Sequence, residues 1–327
     1  MKPVLVTGAT GGLGRVLIET LAEQGREALA TGRNRHVGEA LPARFLAADL
    51  ATDDLAPLVE GVGAVFHLAA LSSPWGPAAA FVAANVTATE RLLAAARAAG
   101  CETFVYVSTP SIYARAADQL RLVETSPLPK RLANVYARTK YAAERAVLAA
   151  DGRGFRTIAL RPRAIIGPYD AVLLPRLLKA ARRGVLALPR AGRALVEPTD
   201  ARDVVAALLA AETRASQVGG QPFNLSGGKP IRFADLVTYV FALLERRVKI
   251  VSLPAPALLA LGAALEALYR LAPGAPEPPI TRYGAMTLGW SQTFDLEAAR
   301  EWLGWAPRHD PHAAIEWALS RMNTCAK

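Results

Sequence analysis

Tyr136 and Lys140 are the two residues whose types and spacing best suit proton transfer. They lie four positions apart in Val135 to Ala150, whose pattern predicts a helix, so both side chains project from one helix face. A tyrosine with the ordinary pKa of about 10 exchanges its proton poorly at neutral pH, whereas a neighbouring ammonium stabilises the phenolate. Lowering the pKa by three units requires roughly 4 kcal/mol, which a cation in a partly dry site can supply. We therefore predict that Lys140 lowers the pKa of Tyr136.

Two hydroxyl residues strengthen this prediction. Ser108 and Thr109 follow the apolar run Thr103 to Val107, and Thr109 precedes Tyr136 by twenty-seven positions. The run predicts a buried parallel strand, and ligands of such folds bind at the carboxyl edge of the sheet. The hydroxyls are therefore expected at the ligand-binding edge.

A glycine-rich turn, TGATGGLG at Thr7 to Gly14, separates the first predicted strand from the first predicted helix. Glycines at these positions let the backbone turn sharply and approach a pyrophosphate, whose charge then faces the helix N-terminus. The spacing is G-x-x-G-x-x-G, not the commoner G-x-G-x-x-G. Its position in a βαβ unit predicts a nucleotide site.

The end of the second predicted strand bears on the choice of nucleotide. An acid there binds the ribose 2′-hydroxyl of NAD, whereas an arginine accommodates a 2′-phosphate. The sequence is Thr31-Gly32-Arg33-Asn34-Arg35, without an acid. This favours NADP(H), because a guanidinium binds phosphate bidentately. The alternative is that Arg33 is an exposed loop charge.

Short apolar runs alternate with helical patterns from the first residues, which is typical of βαβ units. We predict an α/β fold, a Rossmann-type doubly wound parallel sheet with a smaller mixed C-terminal substrate lobe. The expected division, with a soft and interleaved boundary, is a nucleotide-binding domain over 1–165 and a substrate-binding lobe over 166–327. Predicted strands of the first domain are Lys2 to Val6, Glu27 to Thr31, Arg44 to Ala47, Ala64 to Leu68, Thr103 to Val107 and Thr157 to Leu160, and its clearest helices are Ala78 to Ala99 and Val135 to Ala150.

The composition excludes several classes of protein. The chain has 327 residues, of which 52% are hydrophobic and 20% charged, so it can bury a core and is not intrinsically disordered. Cys101 and Cys325 are too few for a disulfide scaffold and predict reduced thiols in the cytoplasm. The longest apolar run, Leu253 to Leu265, is too short to cross a bilayer.

The net charge is +10. Stacking aromatics do not accompany the basic residues, which argues against nucleic acid as a partner. Two interpretations stay open, a solvated arginine-rich surface and a face that attracts an anion. The modest basic cluster comprises Arg176, Lys179, Arg182, Arg183, Arg190 and Arg193.

The histidines lack metal-ligand spacing, so no metal site is predicted.

The combination of TGATGGLG, Tyr136-x-x-x-Lys140 and the upstream Ser108-Thr109 resembles the extended short-chain dehydrogenase/reductase superfamily. Within it, Ser108-Thr109-Pro110-Ser111 and LRPRAIIGP (Leu160 to Pro168) resemble the 3β-hydroxysteroid dehydrogenase branch, and especially the bacterial 2-alkyl-3-oxoalkanoate reductases. Further matches along the chain are Asp49-Leu50, His67-Leu68-Ala69-Ala70, Asn85-Val86, Phe223-Asn224, Leu173 to Arg176, Pro279 to Arg282 and Leu303-Gly304-Trp305-x-Pro307.

The resemblance implies roles for the catalytic residues. Tyr136 is the general acid in reduction and the general base in oxidation. Lys140 lowers the pKa of Tyr136 and holds the nicotinamide ribose. Thr109 orients the substrate oxygen, with Ser108 as its substitute. The cofactor-binding residues that the resemblance implies are Gly8, Thr10, Gly11, Gly12, Leu13, Gly14, Arg33, Asn34, Asp49, Leu50, Leu68, Ala69, Ala70, Asn85, Tyr136, Lys140, Pro162 and Ile165.

The resulting hypothesis is an oxidoreductase that interconverts a ketone and a secondary alcohol on an apolar substrate, 3-oxo/3-hydroxy acyl or sterol-like. NADP(H) is favoured as cofactor and NAD(H) is the alternative. Other hypotheses are a nucleotide-sugar epimerase of the same superfamily and a non-catalytic NADP-binding sensor. A homodimer is left open. The segment Leu253 to Leu271 fits a buried helix pair, a pocket lining or a peripheral membrane contact.

Overall fold

The computed structural model describes residues 2–170, 172–181, 184–272 and 274–324. Arg182 and Arg183 of the basic cluster, and Cys325, lie outside these residues. The strands are β1 Val4–Thr7, β2 Ala28–Gly32, β3 Arg44–Ala47, β4 Ala64–His67, β5 Thr103–Val107, β6 Gln119–Leu122, β7 Arg156–Pro162, β8 Ile165–Ile166, β9 Val185–Pro189, β10 Leu195–Val196, β11 Thr199–Asp200, β12 Pro222–Leu225, β13 Ile231–Arg232, β14 Lys249–Leu253 and β15 Gln292–Phe294.

Helices connect and cover these strands. The α-helices are α1 Gly12–Glu23, α2 Arg35–Glu39, α3 Ala56–Val59, α4 Ala78–Phe81, α5 Ala88–Ala98, α6 Val135–Ala149, α7 Leu173–Ala180, α8 Ala201–Thr213, α9 Ala215–Val218, α10 Phe233–Leu243, α11 Ala255–Leu271, α12 Arg282–Gly289, α13 Glu297–Leu303 and α14 Pro311–Thr324. Two 3₁₀-helices span Pro110–Tyr113 and Arg190–Gly192, and a π-helix spans Val82–Thr87.

Seven strands form one sheet in the order β12-β7-β5-β4-β1-β2-β3, and all its neighbouring pairs are parallel. The predicted doubly wound sheet is thereby confirmed. From β1 the strand order runs to one side through β2 and β3 and to the other side through β4 and β5. The carboxyl ends of β1 and β4 therefore flank a crevice of the kind in which such folds bind ligands. Strand β12 comes from beyond residue 166, so the sheet draws on both predicted regions.

Alternation along β1 shows how the sheet separates two apolar layers. Val4 and Val6 are buried in one core beneath α1 and α8, whereas Leu5 is buried in the other beneath α5 and α6. Both faces of the strand are covered, which is why its sequence is apolar throughout rather than alternating.

The predicted helical stretch Ala78 to Ala99 is confirmed over residues 78–98, but its interior is a π-helix. The segment is α4, then the π-helix, then α5. A π-turn inserts an extra residue, a feature found frequently at functional sites. The predicted strand Thr157 to Leu160 is longer than expected and ends at Pro162. Its extension brings Arg161 and Pro162 to the carboxyl edge of the sheet.

The C-terminal lobe places α12 against α11. The two helices approach closely at Gly262, where a Cβ atom would lie 2.9 Å from the backbone nitrogen of Arg282. Glu266 of α11 accepts hydrogen bonds from Arg282 N (2.7 Å) and Nε (3.0 Å), and Thr281 caps α12 by accepting from Gly284 N. These contacts fix where α12 begins. Across the described residues, none of the helices combines the length and apolar character needed to cross a membrane.

Candidate active site

The turn after β1 packs so closely against neighbouring backbone that side chains are excluded at three of its glycines. Gly8 has φ of +65°, and a Cβ atom on it would lie 2.7 Å from the backbone nitrogen of Ala69. A Cβ atom on Gly14 would lie 2.2 Å from Gly8 O, and one on Gly12 would lie 2.8 Å from Tyr169 O. Helix α1 begins at this turn without a side-chain cap on its first N–H groups, which is the arrangement that suits a pyrophosphate.

Ala69 is held opposite this turn by a buried polar network. Thr89 Oγ1 donates its one proton to Asn85 O (2.8 Å). In its second bond the same oxygen therefore accepts, from His67 Nε2 (2.9 Å). His67 Nδ1 then accepts from Thr7 Oγ1 (2.7 Å), which in turn accepts from Ala69 N (3.2 Å). Burial, and to a lesser extent the charge of Lys140, lowers the pKa of His67 to about 3. His67 is therefore a neutral positioning residue with one fixed tautomer.

The π-helix carries Asn85 into the site. Its Oδ1 accepts from Leu71 N (2.7 Å), and its Nδ2 donates to Leu71 O (3.2 Å) and to Thr139 Oγ1 (3.1 Å). The buried amide therefore joins the segment after β4 to α6, which carries Tyr136. Asn85 is 1% exposed, so its amide holds the segment after β4 from within the protein.

The residues predicted to contact the adenosine half of a nucleotide lie at the carboxyl ends of β2 and β3. Arg33 is exposed and forms no hydrogen bond or ion pair within the described residues, whereas Asn34 Oδ1 caps α2 by accepting from Val37 N. Asp49 is partly exposed, and its Oδ1 accepts from Ala51 N. Leu50 is buried, and its carbonyl accepts from Arg91 Nη1.

The remaining predicted residues are distributed around the same edge. In the turn after β1, Gly11 is exposed and both Thr10 and Leu13 are partly exposed. After β4, Leu68 is partly exposed and Ala70 is exposed. Pro162 is buried as the last residue of β7, and Ile165 is partly exposed. The structure therefore gathers the predicted nucleotide-binding residues along the carboxyl edge of the sheet.

Tyr136 and Thr109 are brought together. The hydroxyls of Thr109 and Ser72 lie beside the phenol, and both lower its pKa. Thr109 Oγ1 accepts from Ser111 N (3.2 Å) and donates to Ser111 Oγ (3.0 Å). Ser111 Oγ is in turn 2.5 Å from the phenol oxygen of Tyr283. A continuous chain of hydroxyls thus connects α6 with α12.

The expectation that Lys140 lowers the pKa of Tyr136 is wrong for this structure. Burial raises that pKa, outweighing the effect of the Thr109 and Ser72 hydroxyls. Lys140 is 2% exposed, and its Nζ donates to Val107 O (2.6 Å) and lies 4.1 Å from the ring centroid of Tyr106. Burial lowers the pKa of Lys140 to about 7, so its cation is only partly present at neutral pH.

Ser108 does not join the hydroxyl chain. It is buried, and its Oγ has no hydrogen-bond partner within the described residues. Its backbone nitrogen donates to Leu160 O (2.7 Å), which fixes the end of β5 against β7. Of the two candidate hydroxyls, the structure brings Thr109 to Tyr136.

A buried ion pair supports the site from below. Glu144, two turns after Tyr136 on α6, accepts from Arg161 Nε (2.9 Å) and Nη2 (2.6 Å). The other side of the guanidinium donates to the phenol oxygen of Tyr113 and to Glu124 O. Tyr113 also donates to Asn224 Oδ1 (3.1 Å), so α6, β7 and β12 are joined beneath the catalytic edge.

Sequence reasoning did not single out Ser72, Ser111 or Tyr283 as site residues. Ser111 and the segment before Tyr283 belonged to motifs that were recognised, but no local pattern places either beside Tyr136. The threonine N-cap at Thr281 was the one available signal, because it predicts where the helix carrying Tyr283 begins. In the part of the chain that the structure describes, no group of three or more His, Cys, Asp or Glu side chains could hold a metal ion.

The comparisons with known proteins agree with this geometry. A model of the NAD dependent epimerase/dehydratase family matches residues 4–226. The chain is 36% identical over 307 residues to a 2-alkyl-3-oxoalkanoate reductase of Stenotrophomonas maltophilia, covering 91% of this chain and 92% of that one.

Two further similarities extend this result. A human sterol-4-alpha-carboxylate 3-dehydrogenase, decarboxylating, is 32% identical over 239 residues, covering 71% of this chain and 64% of that protein. The solved structure of MoeE5 in complex with UDP-glucose and NAD superimposes with a TM-score of 0.79 at 25% identity, covering 99% of this chain and 100% of that one.

Proposed function

The chain belongs to the NAD dependent epimerase/dehydratase family and is an oxidoreductase, and we propose that it interconverts a ketone and a secondary alcohol on an apolar 3-oxo/3-hydroxy acyl or sterol-like substrate. The observation that carries the proposal is that the Thr109 hydroxyl lies beside the Tyr136 phenol at the carboxyl edge of the sheet and lowers its pKa. Relatives named as a reductase and a dehydrogenase of such compounds support it.

In the proposed reduction, Tyr136 protonates the substrate oxygen while the Thr109 hydroxyl holds that oxygen in place. In oxidation Tyr136 takes up the same proton. A bound nicotinamide supplies the hydride in one direction and accepts it in the other. Ser111 N holds the Thr109 oxygen in place, and the Thr109 proton, which is donated to Ser111 Oγ in this structure, turns to the substrate oxygen when the substrate binds.

Lys140 acts on this site in a way that differs from the initial expectation. Its Nζ bond to Val107 O ties α6 to the end of β5, and so fixes Tyr136 relative to Thr109. We propose that Lys140 also contacts the nicotinamide ribose, for which its ammonium has two further protons to donate. Gly8, Gly12 and Ala69 are the residues proposed to face the pyrophosphate.

The apolar character of the proposed substrate is supported by the relatives named as a 2-alkyl-3-oxoalkanoate reductase and a sterol-4-alpha-carboxylate 3-dehydrogenase. In this structure the cavity beside α12, lined by Ala114, Ala117, Met286 and Trp290 together with six polar residues, has a volume of about 10 Å³, the space of one water molecule.

Within the family's dependence on NAD-type nucleotides, we propose that NADP(H) is preferred. The carboxyl end of β2 carries Gly32 and the exposed Arg33, which has no partner among the described residues, and residues 31–35 include no acid. A 2′-phosphate would gain a charge-assisted bond from Arg33 without a competing carboxylate.

The alternative is a nucleotide-sugar epimerase, since the MoeE5 structure contains UDP-glucose and NAD. An epimerase retains its NAD through the reaction, whereas a reductase releases the nucleotide in every turnover. The release of the nucleotide therefore separates the two functions.

The test is nicotinamide absorbance during incubation with a panel of 2-alkyl-3-hydroxyalkanoic acids, 3-hydroxysteroids and UDP-glucose, each with NADP⁺ and NAD⁺. We expect stoichiometric reduction of the added nucleotide by a member of the first two classes. Copurification of NAD together with turnover of the nucleotide sugar alone would contradict the proposal. Tight nucleotide binding without turnover of any compound would instead indicate a non-catalytic sensor.

A further inference from the structure

Helix α11 (Ala255–Leu271) presents an apolar surface to solvent. Leu261 is 45% exposed, Leu268 is 61% exposed and Leu271 is 85% exposed, although leucine is ordinarily among the most buried residues. These leucines and the exposed alanines between them recur every three or four positions, so they line one side of the helix, which we name the α11 face. The residues of the α11 face are Ala257, Ala260, Leu261, Ala264, Leu268 and Leu271.

The opposite side of α11 packs on the protein. Leu258 and Gly262 are buried there, and so is Glu266, whose carboxylate accepts hydrogen bonds from Arg282 at the start of α12. An ordinary surface helix turns its polar residues outward, whereas α11 turns its one acid inward and its apolar side chains outward. A fully buried helix, one of the interpretations that the sequence left open, is therefore excluded.

The charge at the edge of the α11 face is positive. Glu266 and Arg270 are the only charged residues of the helix. Glu266 is buried, whereas Arg270 is exposed beside Leu271 and forms no ion pair within the described ranges of the chain. A long side chain at this position can keep its cation in a polar layer while the leucines next to it enter an apolar one.

The charges that precede the helix have the same sign. Arg246, Arg247 and Lys249 are exposed and precede α11 by one short strand, β14, and the whole chain carries a net charge of +10. Exposed leucines combined with cations are complementary to a bilayer surface with anionic head groups. A second copy of α11 would cover the leucines but offers no acid to Arg270, because Glu266 is buried and bound.

The length of α11 fits the surface of a bilayer rather than its interior. The helix has 17 residues. Crossing the hydrocarbon core takes about 20 predominantly apolar residues. A helix with one apolar face instead lies in the plane of the interface, with that face roughly 5–10 Å deep at the boundary of head groups and acyl chains.

The C-terminal end of α11 lies beside a loop of the candidate active site. Trp75 Nε1 donates to Ala275 O (2.8 Å), and the Arg270 guanidinium lies 5.4 Å from the centroid of the Trp75 ring. Three residues before Trp75, Ser72 lies beside the phenol of Tyr136. One short loop thus connects the end of the α11 face with the proposed proton donor.

We propose that the α11 face binds the surface of a bilayer that contains anionic lipids, and that this contact brings the candidate active site to apolar compounds dissolved in the bilayer. The membrane contact goes beyond the proposed function and does not depend on it, because binding requires no turnover. Only the delivery of substrate rests on the proposed function.

Cosedimentation with sucrose-loaded vesicles tests the contact. The wild-type protein should bind vesicles of phosphatidylcholine and phosphatidylglycerol in equal amounts, and should bind pure phosphatidylcholine vesicles more weakly. Leu268→Gln combined with Leu271→Gln should lower the partition coefficient roughly 10-fold or more, because two leucines no longer enter the acyl boundary. Arg270→Gln should lower it by about fivefold on the anionic vesicles alone.

The matched control is Leu120→Gln. Leu120 is 60% exposed, as Leu268 is, but lies on β6, and its replacement should leave vesicle binding unchanged. All the replaced side chains are exposed, so thermal unfolding followed by circular dichroism should show that each variant folds as the wild type does. Wild-type protein that binds neither kind of vesicle overturns the proposal, and so does equal binding by wild type and the double leucine variant.

Sedimentation velocity tests the other occupant of the α11 face. A wild-type dimer that Leu268→Gln with Leu271→Gln converts to a monomer, without vesicle binding, would show a contact between two copies of this chain and refute the membrane contact. Vesicle binding by a protein that oxidises none of the compounds in the nicotinamide assay would support the membrane contact and contradict the proposed function alone.

Discussion

The Nζ atom of Lys140 donates a 2.6 Å hydrogen bond to the carbonyl oxygen of Val107, the last residue of β5. The ammonium thereby connects the helix that carries Tyr136 with the strand end that precedes Thr109. The helical spacing of Tyr136 and Lys140 thus serves to align two elements of the fold. The environment of this amine is apolar enough to change its protonation.

The first prediction concerns pH and stability. Burial lowers the pKa of Lys140 to about 7, against 10.5 for the ordinary amine, so between these values the unfolded chain binds a proton that the folded protein lacks. Between about pH 7 and 10.5 the free energy of unfolding therefore rises with pH, by up to about 1.4 kcal/mol per pH unit. Below pH 7 the destabilisation caused by burying the charged amine is complete.

Lys140→Met should remove this dependence. Urea unfolding at several pH values between 6 and 10 should show the variant to be most stable relative to wild type at the acid end, with the difference shrinking as pH rises. The exposed Lys249→Met serves as control. Parallel stability curves for wild type and Lys140→Met would rule out the depressed pKa.

The second prediction concerns the proton donor. Tyr136→Phe should lower kcat by roughly 10²- to 10⁴-fold, the usual contribution of a positioned acid or base. Nucleotide affinity, measured by fluorescence titration, should stay within about threefold, because the ring is retained. Turnover within a few-fold of wild type would remove Tyr136 from the mechanism.

The third prediction concerns nucleotide choice. Arg33→Ser should weaken binding of NADPH by roughly 10-fold or more while leaving NADH unchanged, because only the 2′-phosphate forms a charge-assisted bond with this side chain. Arg44→Ser, an exposed change at the opposite edge of the sheet, is the control. An equal loss for both nucleotides would show that Arg33 does not distinguish them.

The fourth prediction concerns the buried ion pair. Glu144→Ala leaves the Arg161 guanidinium, 6% exposed, without its carboxylate, and should cost about 3–5 kcal/mol of unfolding free energy. Replacing both residues by apolar ones, Glu144→Leu with Arg161→Met, should cost less than the single change, because no charge is left buried. Urea unfolding of the three proteins tests this; a larger loss in the double variant would contradict it.

The fifth prediction concerns the glycine turn. In Gly14→Ala the new Cβ atom would meet Gly8 O at 2.2 Å, so the turn must shift, and both stability and nucleotide affinity should fall. Gly25→Ala is the matched control, because Gly25 also has a special conformation, φ +64°, but nothing lies within 4 Å of its Cβ position. It should cost about 1 kcal/mol and leave nucleotide affinity unchanged. Equal nucleotide affinities in the two variants would argue against the role of this turn.

The sequence alone determined the parallel sheet, the glycine turn and the candidate pair Thr109 and Tyr136. These depend on local signals, since apolar runs, glycine spacing and a helical repeat are each legible within one element. The π-turn that brings Asn85 to Leu71 was not predictable, because one inserted residue leaves the apolar pattern of the helix nearly unchanged.

Only the tertiary structure decided the surroundings of these residues. Tyr283 reaches Ser111 because α12 packs on α11 at Gly262. The pKa values of Tyr136 and Lys140 follow burial rather than their spacing. Spacing along a helix sets which side chains are neighbours, but desolvation and pairing depend on distant segments, and these set the charge that each side chain carries.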